Sequence, residues 1–397
     1  MRKAICILFL LCPLLLTGQG YHKSILKKIK EGAVATHSDA VLIYQNGKLI
    51  YQYHNREKEK PMYIASAGKS LVSMAIGKLL DDGKLDSLDQ PIYTLFPEWK
   101  QGQKKQITVR MLLNHTSGLQ DYRNASKEIE PAPDYKNENI IKMALAAELQ
   151  TPPGQNIFYS NKATALLGGV IEKASGQPFD QYFKENFYDP LEISEFDWIR
   201  DKAGNATTHG AFIIKPSDFL KFGIVMLHNG LYNNKRILSE KWVKQSVEPG
   251  QNLDPIWGLL WWRIPEKVSY SIDDEIITEW EKASVSQEFI ASIRPIRNQV
   301  FTSKESFKEA MESLSGKPIS TILNKELPEY VRYRKRIFSG KMIGYSAEGF
   351  RGNYLVIIPE AKIVAVRVAD QEGFNYETDT FGEFVDLIAN LGKQRGS

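Results

Sequence analysis

The chain has almost no cysteine. Of its 397 residues only Cys6 and Cys12 are cysteines. The rest of the chain therefore has no disulfide framework, no cysteine nucleophile and no cysteine metal site. Histidine is scarce too, six in all, and no pair has the spacing of a metal ligand set, so no metal and no cofactor is expected. A long apolar run is lacking. The longest, Ala4 to Leu16, is 13 residues interrupted by Cys6, Cys12 and Pro13, short of the ~20 that a membrane-spanning helix needs. Charge of one sign is missing as well. Lys and Arg number 51 against 47 Asp and Glu, a net of +4, too little excess to argue for a nucleic-acid partner. No repeat or low-complexity tract is present.

What remains is an ordinary globular composition, 43 % hydrophobic and 25 % charged, with length for one large or two ordinary domains. Arg2 and Lys3, the short apolar run, then Gly18 and Gly20 follow the order of a secretory leader. Residues 1–20 are predicted as that leader, with 21–397 exported to a periplasm or secreted. Cys12 follows Leu11 rather than a small residue, which argues against a lipoprotein.

Ala40 to Tyr44 and Leu49 to Tyr53 flank Asn46-Gly47, a strong hairpin signal. Ser66 to Leu80 reads as a helix, apolar almost all round and hence buried, with Gly83 at its end. About 86–208 reads as helices and loops, with a second apolar helix over Asn161 to Ala174. Pro216 to His228 and Ser239 to Val247 read as two more helices. Near the end, Asn353 to Ile358 and Ile363 to Val368 are strand-like, and a last amphipathic helix carries Phe381, Phe384, Val385 and Ile388. The pattern predicts one sheet built from both ends of the chain, flanked by terminal helices, with a helical region inserted. The stretch from about Glu266 to Lys341 breaks the rhythm. It is expected to be an insert with its own small core, including a helix over Ser303 to Leu314.

Ser66-Ala67-Gly68-Lys69 carries the first chemical signal. A serine hydroxyl needs a base beside it, and residues three apart on a helix share a face. Burial lowers a lysine pKa, so Lys69 could take the Ser66 proton. Gly68 is expected to leave the first turn bare for a substrate. Alone, the pattern equally fits a serine cap before a solvated lysine. Gly68-Lys69-Ser70 also imitates a phosphate-loop ending, but Tyr63 stands where that loop needs glycine. The second signal is Tyr159-Ser160-Asn161, ahead of the second buried helix. A nearby ammonium would lower the Tyr159 phenol, and the Asn161 amide could bind a substrate carbonyl or hold Lys69.

Together, Ser66-x-x-Lys69 and Tyr159-x-Asn161 resemble the paired signature of class C β-lactamases, D-Ala-D-Ala carboxypeptidases and related esterases. Ile107 to Leu119, Tyr159 to Gly176 and Pro216 to Gly223 are similar to that family as well. The resemblance runs from about His37 to Ile388, apart from the insert. It implies an α/β (α+β) fold of the β-lactamase type: a mixed, mainly antiparallel sheet, flanking terminal helices, an inserted all-helical region, and the site between them. It implies a structural His115, and it implies Ser66, Lys69 and Tyr159 as the catalytic set. Ala347-Glu348-Gly349 takes the place of the family's third motif, with only the glycine matching. Gly349 would let substrate lie close, and the N–H groups of Phe350 and Ser66 would form the oxyanion hole. Ala347 replaces a cation that meets substrate carboxylates, and Glu348 would repel them, so cephalosporins are expected to be poor substrates. Arg351, or Arg334, Lys335 or Arg336, would be the substitutes. His209, Trp257, Trp261 and Trp262 are candidate site-lining residues.

The expected activity is a Ser66 acyl-enzyme formed on a small or peptide-like ester or amide. An acyltransferase using an alcohol or amine acceptor, and an idle binder of cell-wall fragments, are the alternatives.

Overall fold

The structure, a computed structural model, describes residues 14–121, 139–210, 212–328, 331–370, 374–375 and 379–393. The first 13 residues of the expected leader lie outside the described residues. From Leu14 the chain is a helix, α1 (Leu14–Ala35), whose Ile25, Ile29 and Ala33 are buried against the sheet. Among the described residues no helix is long and apolar enough to cross a membrane.

The predicted hairpin forms as β1 (Ala40–Gln45) and β2 (Lys48–His54). Asn46 and Gly47 both take positive φ, 51° and 82°, the two-residue turn whose twist suits paired strands. The central sheet has six strands in the order β2-β1-β6-β5-β4-β3. Here β3 is Trp262–Ser271, β4 Lys335–Gly349, β5 Asn353–Ile358 and β6 Ile363–Val368. Each neighbouring pair is antiparallel. The two ends of the chain thus share one sheet, with β1 paired to β6.

One sheet face packs on the main core, which holds α2 (Gly68–Asp81), α3 (Asn161–Ser175), α4 (Pro216–Leu227) and α5 (Glu240–Val247). The other face is covered by α1 and α9 (Phe384–Gly392). As its sequence predicts, α2 is buried almost all round. Gly176 closes α3 at φ 74°, a conformation in which glycine meets no steric penalty. A short three-stranded sheet joins Met62–Tyr63, Phe212–Ile214 and Phe196–Trp198, tying the segment before Ser66 to the helical side.

The insert is smaller than its sequence suggested. Residues 266–271 and 335–341 are strand, paired from Lys267↔Ser339 to Ser271↔Lys335. Only the segment between them is foreign to the sheet. It folds around its own core of Ile276, Trp280, Phe289, Ile293, Phe307 and Met311. These come from α6 (Asp274–Lys282), α7 (Gln287–Ile293) and α8 (Lys304–Ser315). The β3–β4 ladder shifts register near Pro265, where proline cannot donate. Arg336 is ion-paired with Asp254, which anchors the far end of β4 to the loop ahead of Trp257.

Candidate active site

Ser66 stands in a single 3-10 turn, Ala65–Ala67, that leads straight into α2. Ala65 precedes it at φ 51°, an uncommon value for a residue with a Cβ. Strain of this kind persists only where the surroundings impose it. Lys69 follows one turn later, and its Nζ is 2.8 Å from Ser66 Oγ and 2.5 Å from the His209 carbonyl oxygen. Lys69 is 3 % exposed. Burial lowers its pKa to about 7, against a smaller upward pull from Asp121.

Tyr159 is hydrogen-bonded to Ser66 through its side chain, and its ring lies 4.9 Å from Lys69 Nζ. Here the expectation from sequence needs correction. The phenol pKa is raised, because burial outweighs the Ser66 hydrogen bond. Tyr159 is therefore a neutral phenol at physiological pH. The approach to α3 is fixed by Asp121, which the sequence argument passed over. Its Oδ2 accepts from Ser160 Oγ at 2.9 Å and from the Lys162 backbone at 2.8 Å. A lone aspartate in a loop carries no sequence signal, which is why it was missed.

Asn161 opens α3, 7 % exposed, with Oδ1 buried and unpaired. It does not hold Lys69; the His209 carbonyl does. His209 is thus part of the site through its backbone. Burial, and then the Lys69 charge, push its imidazole well below the ordinary range. His115 faces the same cleft with a pKa lowered to about 3, burial being the larger cause and Lys69 the smaller. Its Nδ1 accepts from the Ser160 N–H at 3.2 Å, a structural contact made by a neutral ring.

The remaining candidates separate sharply. Trp257 and Trp262 pack with ring centroids 4.0 Å apart and planes tilted by 38°, and line the cleft with Leu260. Trp261 does not; it is fully buried against Tyr345 in the core. Arg351 is not in the cleft wall either. It pairs with Asp370 at 3.2 Å. Lys335 pairs with Asp273 and Arg336 with Asp254, while Arg334 lies over the Tyr270 and Tyr333 rings at 4.9 and 4.5 Å. Gly68 does not leave space for substrate, since Phe212 packs where a side chain would stand.

At the third motif, Gly349 presses on the Ser66 turn. A Cβ there would lie 2.6 Å from the Ile64 carbonyl oxygen and 3.2 Å from the Ser66 nitrogen. Phe350, next along, is 53 % exposed. Ala347 is turned into the main core at 0 % exposure, so a cation built there would not reach the cleft. Glu348 is the motif residue in the cleft wall. The free volume is about 10 Å³, roughly one water molecule.

A family described as Beta-lactamase matches residues 26–381. The chain belongs to the beta-lactamase family. Beta-lactamase-like protein 2 of Dictyostelium discoideum is 30 % identical over 176 residues, 43 % of this chain and 29 % of that protein. Protein flp of Staphylococcus aureus strain MW2 is 28 % identical over 167 residues, 39 % of this chain and 33 % of its own length. The matches cover 40 % or less of the curated relatives' length. The octameric penicillin-binding protein homologue of Pyrococcus abyssi superposes with a TM-score of 0.59 at 17 % identity, covering 94 % of this chain and 78 % of that one. At that identity the likeness speaks for the fold, and the antiparallel sheet between helical layers is the family's.

Proposed function

We propose that the chain is a serine hydrolase that cleaves an ester or amide through an acyl-enzyme on Ser66. The observation that carries this reading is the Ser66–Lys69 contact at 2.8 Å around a lysine buried enough to titrate at about 7. An exposed ammonium could only donate to the serine. A buried one gives up its proton near neutrality, and the same contact then runs the other way, with Ser66 O–H donating to the neutral amine.

In the first step Lys69 takes the Ser66 proton as Oγ bonds to the substrate carbonyl carbon. The oxygen that gains charge is met by the Ser66 and Phe350 N–H groups. The carbonyl then re-forms and the leaving oxygen or nitrogen departs, receiving a proton through neutral Tyr159. Asn161 offers its unpaired Oδ1 to an N–H of the acyl part. Water attacks the acyl-enzyme along the reverse of this route.

A second reading, acyl transfer to an alcohol or amine, is favoured by the narrow cleft and its tryptophan wall, which limit water. The test labels the protein with a fluorophosphonate and locates the adduct, then follows p-nitrophenyl butyrate with and without added butanol. An adduct on Ser66 with ester turnover supports the first reading, and butyl butyrate outpacing butyrate selects the second. No adduct and no turnover on any ester would leave a non-catalytic binding protein.

A further inference from the structure

We propose that Glu348 is the specificity-determining group of this cleft, and that it selects substrates with a cationic group on the acyl side and rejects those with a carboxylate. The inference rests on the hydrolase reading above and names its substrate class. Glu348 shares the cleft wall with Ser66, Lys69 and Tyr159. Its place is fixed, because the adjoining Gly349 is pressed on the backbone of the Ser66 turn.

Its charge is not spent on the protein. Ser346 Oγ donates to Oε1 at 2.8 Å, and no ion pair to Glu348 exists among the described residues. The cations whose fields reach it, Lys304 on α8 and Arg336 on β4, keep beyond ion-pair distance, and Arg336 is committed to Asp254. Burial raises the carboxyl pKa against the pull of the Ser346 hydrogen bond, Lys304 and Arg336, and Asp386 on α9 adds a smaller repulsion. The other ionisable groups in the cleft wall remove themselves. His115 is neutral, Tyr159 is a neutral phenol, and Lys69 must be neutral to act as base. Among the described residues of the cleft wall, Glu348 is then the one formal charge in the reactive form, between walls of Trp257, Trp262 and Leu260. A charge in an apolar wall acts more strongly than one in water.

The test uses two p-nitrophenyl esters of the same shape. One carries 4-(trimethylammonio)butyrate, a permanent cation, and the other 5,5-dimethylhexanoate, its neutral carbon isostere. Mono-p-nitrophenyl glutarate serves as the anion. The ratio of kcat/KM between the first two cancels the titration of Lys69, since neither substrate ionises. The expected ratio favours the cation by about tenfold or more at pH 8, with glutarate below the neutral ester. It falls as pH drops through the raised pKa of Glu348. Glu348→Gln, which keeps a partner for Ser346, brings the ratio towards one at every pH. A wild-type ratio near one, or one that Glu348→Gln and acid both leave unchanged, overturns the proposal while leaving the hydrolase reading intact. Absence of Ser66 labelling and of all ester turnover removes both. Should Glu348→Gln fail to fold, the wild-type pH profile of the ratio alone decides.

Discussion

At Lys69 two demands compete. Burial makes the amine a base, and the same burial costs stability. The folded pKa of about 7 lies below the ordinary 10.5, so between those values the unfolded chain binds more protons and stability rises with pH. The cost is full below pH 7 and gone above about 10.5. Lys69→Met should therefore raise the unfolding free energy, by an amount on the order of a few kcal/mol at pH 6 that shrinks towards pH 10. Urea titrations at several pH values would show this, and a destabilised Lys69→Met at pH 6 would contradict it. The same titration governs activity. kcat/KM should rise with pH through an apparent pKa near 7, since the neutral amine is the working form. Ser66→Ala should abolish turnover with little change in stability, and Tyr159→Phe should lower kcat by about two to four powers of ten. Stopped assays on p-nitrophenyl butyrate read both. Of these residues, Ser66, Lys69 and Tyr159 were legible because two spaced motifs announce them. Asp121 and the His209 carbonyl were not, because a buried loop aspartate and a backbone oxygen have no residue-type signature.

Strand faces explain the errors at the element scale. A strand alternates sides at every residue, so naming the right motif does not say which of its members faces the cleft. Ala347 was expected there; the pairing of Leu355 with Ala347 and Tyr354 with Glu348 turns Ala347 into the core. Installing a lysine at 347 would bury a charge rather than create a carboxylate site. The three tryptophans divide for a similar reason, with Trp257 and Trp262 bridged across a tight turn and Trp261 pointing inward. Gly349 shows the opposite case, a residue whose importance the motif did carry. Its Cβ would meet fixed backbone of the Ser66 turn, which cannot rotate away as a side chain can. Gly349→Ala should cost about 1–3 kcal/mol and displace Ser66. Chemical denaturation and fluorophosphonate labelling rate measure the two effects, and unchanged labelling would show that the strand can retreat.

For the molecule as a whole, the insert poses the clearest question. It has its own core and, among the described residues, joins the sheet through the extension of β3 and β4. Ser271 and Lys335 face each other at the point of departure, so a two-residue turn can replace residues 272–334 without cutting the sheet. That variant should fold with the main core intact and keep Ser66 labelling. It should change the relative rates on small and bulky esters, because the deleted Arg332 donates to the Leu253 carbonyl in the loop ahead of Trp257, and that tie is lost. Equal change on both ester sizes, in a folded protein, would separate the insert from the cleft. Cephalosporin turnover should stay far below that of p-nitrophenyl butyrate in either form, since Glu348 remains in the wall.

The sequence by itself determined the elements and the family. Hairpin chemistry at Asn46-Gly47, helix periodicity from Ser66 and Asn161, and two spaced motifs are local, and local rules survive without knowledge of the fold. Tertiary structure alone decided what depends on neighbours far along the chain. It set the pKa of Tyr159, where burial defeats the nearby lysine, and it set which face of β4 meets the cleft. It also showed that the insert begins only after the strands have run past the sheet. Each of these turns on burial or on pairing between separate elements, and a desolvation penalty or a strand register has no representation in the order of residues.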